Sequence, residues 1–358
     1  MVRKDNDIMG LFTDKRIKAR CAAAVCAGMM LFGVSACGAS SDAGSNVDLQ
    51  TQESRVYIGG AEDSSDEHNA AGTGTTDVLR EASVQESMAQ TAQNKTEPAV
   101  INGRRVYEDG QKIYLDRTWQ YSGNSAINSG YAVMYKAAAN RKDIIVGVNA
   151  GHGTNGGSSV KTWCHPDGSP KTTGGTTAAG AIEAVAVSGG MTFADGTAES
   201  TVTLNMAQIL KQKLLAEGYD VLMLRDGEDV QLDNVARTVI CNNVADCHIS
   251  LHWDGDGLDY DKGCFYIAVP DAIKTMDPVA RIWEEHDVLG SSLISGLRAK
   301  GAKINGGGSM QIDLTQTSYS TIPSVDIELG NASSRHDDAA LAVLGDGLVQ
   351  GINNYFGW

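Results

Sequence analysis

From Asp143 onward, short β-branched runs alternate with longer segments of helical period, and few chain layouts accommodate that alternation. The strand candidates are Ile144–Asn149, Asp220–Leu224, Cys247–His252, Cys264–Val269 and Ser324–Leu329. The clearest helix, Ser200–Glu217, sets Leu204, Ala207, Leu210, Leu214 and Leu215 along one face and stops at Gly218. Further helices are expected over Val230–Asn243, Pro278–Lys300 and Asp337–Tyr355. Strand and helix in turn predict an α/β domain. Its central sheet is expected to be mixed, mostly parallel, and flanked by helices on both faces.

The preceding third of the chain is different. Residues 37–100 are rich in Ser, Gly, Asp, Gln, Asn, Thr and Glu and carry few large apolar side chains. Such a stretch cannot bury enough surface to offset the entropy of ordering it, and it reads as a disordered, flexible tether. Within the lead-in, 101–142, Arg105–Tyr114 alternates around Asp109-Gly110, which predicts a hairpin. The catalytic domain is expected over 143–358. The 358 residues include only five Trp and five Phe, which suits one globular domain plus an unfolded segment better than two domains.

The amino terminus reads as a targeting signal over 1–36, with a basic stretch through Lys18 and Arg20 followed by an apolar run from Cys21 to Val34. That run is too short to span a bilayer stably. It ends in Val34-Ser35-Ala36-Cys37, which resembles the lipobox of bacterial lipoproteins. The resemblance implies lipidation at Cys37, a membrane anchor and an extracytoplasmic location facing the cell wall. A secretory signal cleaved after Ala36 and an uncleaved signal anchor are the alternatives. Removing 1–36 takes away six Lys/Arg and three Asp and moves the formal charge from −15 to −18. So acidic a body argues against nucleic acid and anionic lipid headgroups as partners. The remaining thiols, Cys164, Cys241, Cys247 and Cys264, contain no Cys-x-x-Cys pair and are expected to be free and buried.

Three distant segments end their apolar runs in chemically capable residues: His152 in Asn149-Ala150-Gly151-His152-Gly153, His252 in Ser250-Leu251-His252-Trp253, and Glu328 in Asp326-Ile327-Glu328-Leu329-Gly330. An α/β sheet presents side chains to a crevice at its carboxyl edge, so these positions can converge. Alternation also puts Asp326 and Glu328 on one face of their strand. Between the histidines lie two candidate acids, Glu183 and Glu199.

Together these segments resemble the zinc-dependent N-acetylmuramoyl-L-alanine amidases of the Amidase_3 family over roughly residues 143–356. The matching pieces are a strand leading into Gly151-His152-Gly153 and Glu199 opening a helix with Leu204, Met206, Ala207 and Leu210. They continue with the strand ending in Arg225-Asp226, the Arg237 helix before Ala245–His252, and Pro323 to Gly330 with Glu328. The resemblance implies one zinc ion held by His152, Glu199 and His252, and Glu328 as catalytic acid/base. The implied reaction is cleavage of the amide between N-acetylmuramic acid and L-alanine in peptidoglycan, by a protein expected to be monomeric. Two histidines and one glutamate are a familiar catalytic zinc set with a position left for water.

Two departures from the family stand out. The 154–198 segment is a long insertion, expected to form a lip over the cleft, in which Cys164 and His165 are candidates for substrate contact. The family's arginine before the last strand is replaced by Leu314-Thr315-Gln316-Thr317. His248 reads as a packed neighbour, and Glu284–Asp287 as a solvated helix face. Competing functions are a zinc peptidase cutting within the stem peptide and a surface lipoprotein that binds without catalysis.

Overall fold

The computed structural model describes residues 99–101 and 104–358. The expected signal, Cys37 and nearly all of the expected tether lie outside the described residues. Strands β1 (Ala99–Ile101) and β2 (Arg104–Val106) pair with each other. Then follow β3 (Lys112–Ile113), β4 (Ala132–Tyr135), β5 (Ile145–Ala150), β6 (Lys161–Trp163) and β7 (Glu183–Val185). The rest of the order is α1 (Glu199–Ala216), β8 (Asp220–Met223), α2 (Asn234–Val244), β9 (Cys247–Asp254), β10 (Cys264–Ala268), α3 (Trp283–Ala299), β11 (Ile304–Gln311), α4 (Thr315–Tyr319), β12 (Ser324–Asn331) and α5 (Asp338–Phe356).

Eight strands form one sheet in the order β11-β10-β12-β9-β5-β8-β4-β3. The neighbours β10/β11, β12/β9, β9/β5 and β5/β8 are parallel, and the other three pairs antiparallel. The expected mixed, mostly parallel sheet is therefore present. Central strands of such a sheet are covered on both faces, which is why their sequences run apolar. Val221 and Met223 join the core made with Met206, Leu210 and Leu214 of α1, Leu293 of α3 and Leu348 of α5. Leu222 and Leu224 join the opposite core, with Val235, Val239 and Ile240 of α2 and Tyr319 of α4.

Several sequence expectations shift. Gln111 N–H donates to Glu108 O at 3.2 Å, so the Asp109-Gly110 turn forms, but its flanks do not pair as a hairpin. Arg104–Val106 pairs with β1, and Lys112–Ile113 extends the main sheet through β4. Tertiary partners outweigh the local signal. Helix α2 starts at Asn234 rather than Val230 because Asp233 caps it, Oδ1 accepting the Ala236 N–H at 2.7 Å. Its Oδ2 accepts the Ala126 and Ile127 N–H groups at 2.6 and 2.8 Å, tying the lead-in to the helix. Helix α3 starts at Trp283, after a short 3-10 turn over Val279–Arg281. Its supposed solvated face includes His286, which is buried and whose Nδ1 accepts the Ser324 N–H at 2.9 Å. The four cysteines are free and buried, as expected. Among the described residues no helix is long and apolar enough to cross a membrane.

Candidate metal centre

At the end of β5 the chain turns sharply, and His152 adopts φ 65, a left-handed conformation that costs a non-glycine residue of order 1 kcal/mol or more. Two buried arginines hold that turn by its carbonyls. Arg225 Nε and Nη2 donate to the Ala150 and Gly151 oxygens at 3.1 and 3.0 Å. Arg237 Nη1 and Nη2 donate to the Ala150 and His152 oxygens at 3.1 and 2.7 Å. Burial lowers the two guanidinium pKa values to about 10 and about 9, which leaves both charged at neutral pH. Their resemblance to family positions was visible in the sequence, whereas this shared task was not.

His152 Nδ1 lies 2.9 Å from the Ser188 carbonyl, an acceptor only, so Nδ1 carries the proton and the Nε2 lone pair faces inward. His252 reaches the same point from β9. Its Nδ1 is 3.1 Å from His152 Nε2 and 3.1 Å from Glu199 Oε1, while its Nε2 faces Asp326 Oδ2 at 3.7 Å. Glu199 enters from the first turn of α1, with Oε2 2.9 Å from His152 Nε2. Backbone N–H groups of Met191 and Trp253 donate to its two oxygens at 2.8 and 3.0 Å and fix the carboxylate plane. The competing acid, Glu183, is exposed on β7.

One ligand atom from each of His152, Glu199 and His252 lies within 4.8 Å of the others, so the three could hold a metal ion. The donor chemistry fits. Both histidines offer a lone pair to one point, and each has its other ring nitrogen turned to a carbonyl or a carboxylate. Charge fits as well. Burial raises the Glu199 pKa, but the contacts with His152 and His252 outweigh it and hold the carboxyl well below its usual range. Burial lowers the His252 pKa, yet Asp326 and Glu199 overcome it and push the ring up to about 10, so a metal bound at this ring takes the place of a proton. These carboxylates call for a cation among them.

Glycines leave the room that the centre needs. A Cβ on Gly151 would sit 2.3 Å from His252 Cε1, and one on Gly190 would sit 2.8 Å from both Glu199 Oε2 and His152 Cδ2.

The parallel register of β12 on β9 sets Glu328 beside His252 and Asp326 beside Ser250, all on one face. Glu328 Oε2 and Asp326 Oδ1 are buried with no hydrogen-bond partner among the described residues. Burial, then the charge of Asp326, pushes the Glu328 carboxyl well above its usual range. Both acids open on a cleft of about 540 Å³ that includes His152, Glu199 and His252.

The 154–198 insertion supplies one wall of that cleft through Lys171, Gly175, Thr176 and Ala184. Its own small sheet pairs β6 with β7. His165 does not reach the cleft. It is buried, and its Nε2 meets Asp313 Oδ1 at 2.8 Å while Thr172 N–H donates to Asp313 Oδ2 at 2.7 Å. Cys164 is buried beside it. Sequence gave no signal for this clamp, because its partners stand 148 residues apart. His248 is a packed neighbour, as expected, with Nδ1 3.3 Å from Ser324 Oγ. Leu314, Thr315 and Gln316, where the resemblance leads to an arginine, also line the cleft.

Solved structures with similar chains include the N-acetylmuramyl-L-alanine amidase Ami1 from Mycobacterium smegmatis. It is 18% identical with a TM-score of 0.49, over 61% of this chain and 99% of that one. Its namesake from Mycobacterium abscessus is 22% identical with a TM-score of 0.46, over 61% and 99%. The amidase AmiC2 of Nostoc punctiforme is 16% identical with a TM-score of 0.44, over 61% and 100%. No curated protein matches the chain. The family model described as N-acetylmuramoyl-L-alanine amidase, Amidase_3, matches residues 146–345, more than half of the sequence, and the chain belongs to that family.

Proposed function

We propose that this amidase works with one zinc ion held by His152, Glu199 and His252, and that Glu328 moves the protons. The substrate is peptidoglycan, and the bond cut is the amide between N-acetylmuramic acid and the L-alanine of the stem peptide. A peptidoglycan amidase acts outside the cytoplasm. The convergence of two imidazole lone pairs and one carboxylate within 4.8 Å, with Glu328 alongside His252, carries the reading.

When bound, zinc supplies Lewis acidity that makes water a better nucleophile and polarises a carbonyl. The chain does the rest. Ser188 and Asp326 hold the two imidazoles in the tautomer and orientation a metal ligand needs. Glu328 takes a proton from the attacking water as its oxygen bonds to the lactyl carbonyl carbon. It then delivers that proton to the alanine nitrogen as the C–N bond breaks. A lactyl carboxylic acid and a free L-alanine amine result. A carboxyl raised by burial and by a like-charged neighbour suits both halves of that exchange.

The sequence supports the rest of the layout. Residues 1–36 serve as a lipoprotein signal, Cys37 as the lipid anchor and 37–100 as the tether of the catalytic body, which acts as a monomer facing the wall. The test uses the full-length protein and muramoyl peptides, with and without zinc, and products identified by mass. Free stem peptide with a new L-alanine amine is expected. Glu328→Ala should keep its metal and lose about 10²- to 10⁴-fold in kcat. Cleavage inside the stem would instead make the protein a peptidase, and intact substrate with bound zinc would make it a binder.

A further inference from the structure

The cleft has a cation that the reaction above does not use. Lys171 lines it and is 8% exposed, yet among the described residues its ammonium has no hydrogen bond or ion pair. Besides His152 and His252, the other titratable groups on the cleft wall are acids: Glu199, Asp254, Asp326 and Glu328. Asp254 already has Lys262 at 2.5 Å, and Glu199 has its two histidines. Lys171 is thus the one Lys or Arg among the residues lining the cleft, and its charge acts on the Cys164 thiol, whose pKa it lowers against the larger effect of burial.

Its backbone is held from both sides. Lys171 N–H donates to Ala181 O at 2.9 Å, and Lys171 O accepts the Gly180 N–H at 2.8 Å. The next residue, Thr172, is fixed by Asp313 through its N–H and Oγ1 at 2.7 and 3.0 Å. The insertion therefore fixes the backbone from which Lys171 projects at a wall of the cleft. A stem peptide carries free carboxylates, at the γ-linked second residue when that is not amidated and at its carboxyl end. Away from the proposed metal and its two histidines, the charged groups that such a carboxylate would meet in the cleft are acids.

We propose that Lys171 is a specificity residue that binds a free carboxylate of the stem peptide. The proposal rests on the amidase reading for its substrate class. It implies that amidating the carboxylate which Lys171 reads weakens recognition at this cleft.

The test compares three synthetic muramoyl pentapeptides: both carboxylates free, the second-residue carboxylate amidated, and the terminal carboxylate amidated. Full-length protein, Lys171→Met and Lys171→Arg are each assayed for kcat and KM, and each is titrated calorimetrically in a Glu328→Gln background. Wild type should prefer the peptide carrying the recognised carboxylate by about ten- to a hundredfold, the usual range for a charge-assisted hydrogen bond. Lys171→Met should erase that preference mainly through KM and Kd, and Lys171→Arg should restore most of it. The two amidated peptides tell which carboxylate is read. Equal affinity of wild type for all three peptides, or an equal loss on all three in Lys171→Met, overturns the proposal. Binding without cleavage in wild type would defeat the amidase reading while the Lys171 comparison still stands.

Discussion

Gly151→Ala tests the metal centre without removing any ligand. The added Cβ would meet His252 at 2.3 Å from Cε1, 2.5 Å from Nε2 and 2.7 Å from Nδ1. Ordinary contact begins near 3.4 Å, so the ring must retreat by roughly 1.1 Å. Ligand distances in a metal site tolerate about 0.2 Å. The backbone offers no relief, because Ala150 and Gly151 are held by Arg225 and Thr203. The His252 side chain is 19% exposed and has the cleft to swing into. Strain should therefore appear as displacement of the ring rather than as unfolding, at less than the ~1–3 kcal/mol typical of an overfilled core. Metal affinity should fall by at least about 10- to 100-fold, or roughly 1.4–2.7 kcal/mol. The assay is zinc retained against a graded chelator, measured by elemental analysis, with thermal melting in excess chelator to check the fold. Gly123→Ala, whose Cβ meets nothing within 4 Å, is the control. A Gly151→Ala protein that keeps zinc and kcat/KM at wild-type levels would refute the convergence of His152, Glu199 and His252 on one ion.

Two further expectations concern stability. Burial lowers the pKa of both His248 and His286 to about 3, so each stays neutral in the folded protein while the unfolded chain takes up a proton near 6.5. Stability should be level with respect to these groups above pH 6.5 and fall below it, by up to about 1.4 kcal/mol per pH unit for each ring until pH nears 3. Denaturant titrations from pH 7 to 4 should show a shallower decline in His286→Gln, and an unchanged slope would contradict the assignment. For Asp313, burial raises the pKa, but hydrogen bonds from His165 and Thr172 outweigh it and lower the carboxyl below 3.8. Its contribution is present above that value and lost as the pH falls further. Asp313→Ala should cost about 1–3 kcal/mol by leaving Nε2 of buried His165 unpaired, and should expose the insertion to protease, with cuts between 161 and 185. Resistance equal to wild type would mean the clamp is dispensable.

Much of this was legible where chemistry and period coincide. The runs Ile144–Asn149, Cys247–His252 and Ser324–Leu329 became the parallel strands β5, β9 and β12, which end at Ala150, Asp254 and Asn331 and bring His152, His252 and Glu328 to one edge. Period two also foretold that Asp326 and Glu328 share a face. Less was readable where a partner is remote. Ile304–Gln311 holds three consecutive glycines and reads as a loop, yet it pairs in parallel with β10 at the sheet edge. His286 lies in an acidic stretch that looks solvated, and it is buried because the Ser324 N–H needs an acceptor. The roles of Gly151 and Gly190 depend on side chains that arrive from other segments, so spacing alone could not announce them.

The clamp between His165 and Asp313 has an evolutionary reading. His152, Glu199, His252 and Glu328 belong to a sheet edge and a helix whose geometry the whole core enforces, whereas Lys171 belongs to an insertion in which His165 and Thr172 are tied to Asp313. The insertion thus has two parts: 188–191 is built into the centre, and 161–185 forms a wall beside it. A lineage can recharge 161–185 and so follow changes in the wall it meets, while Ser188, Gly190 and Met191 stay as they are beside His152 and Glu199.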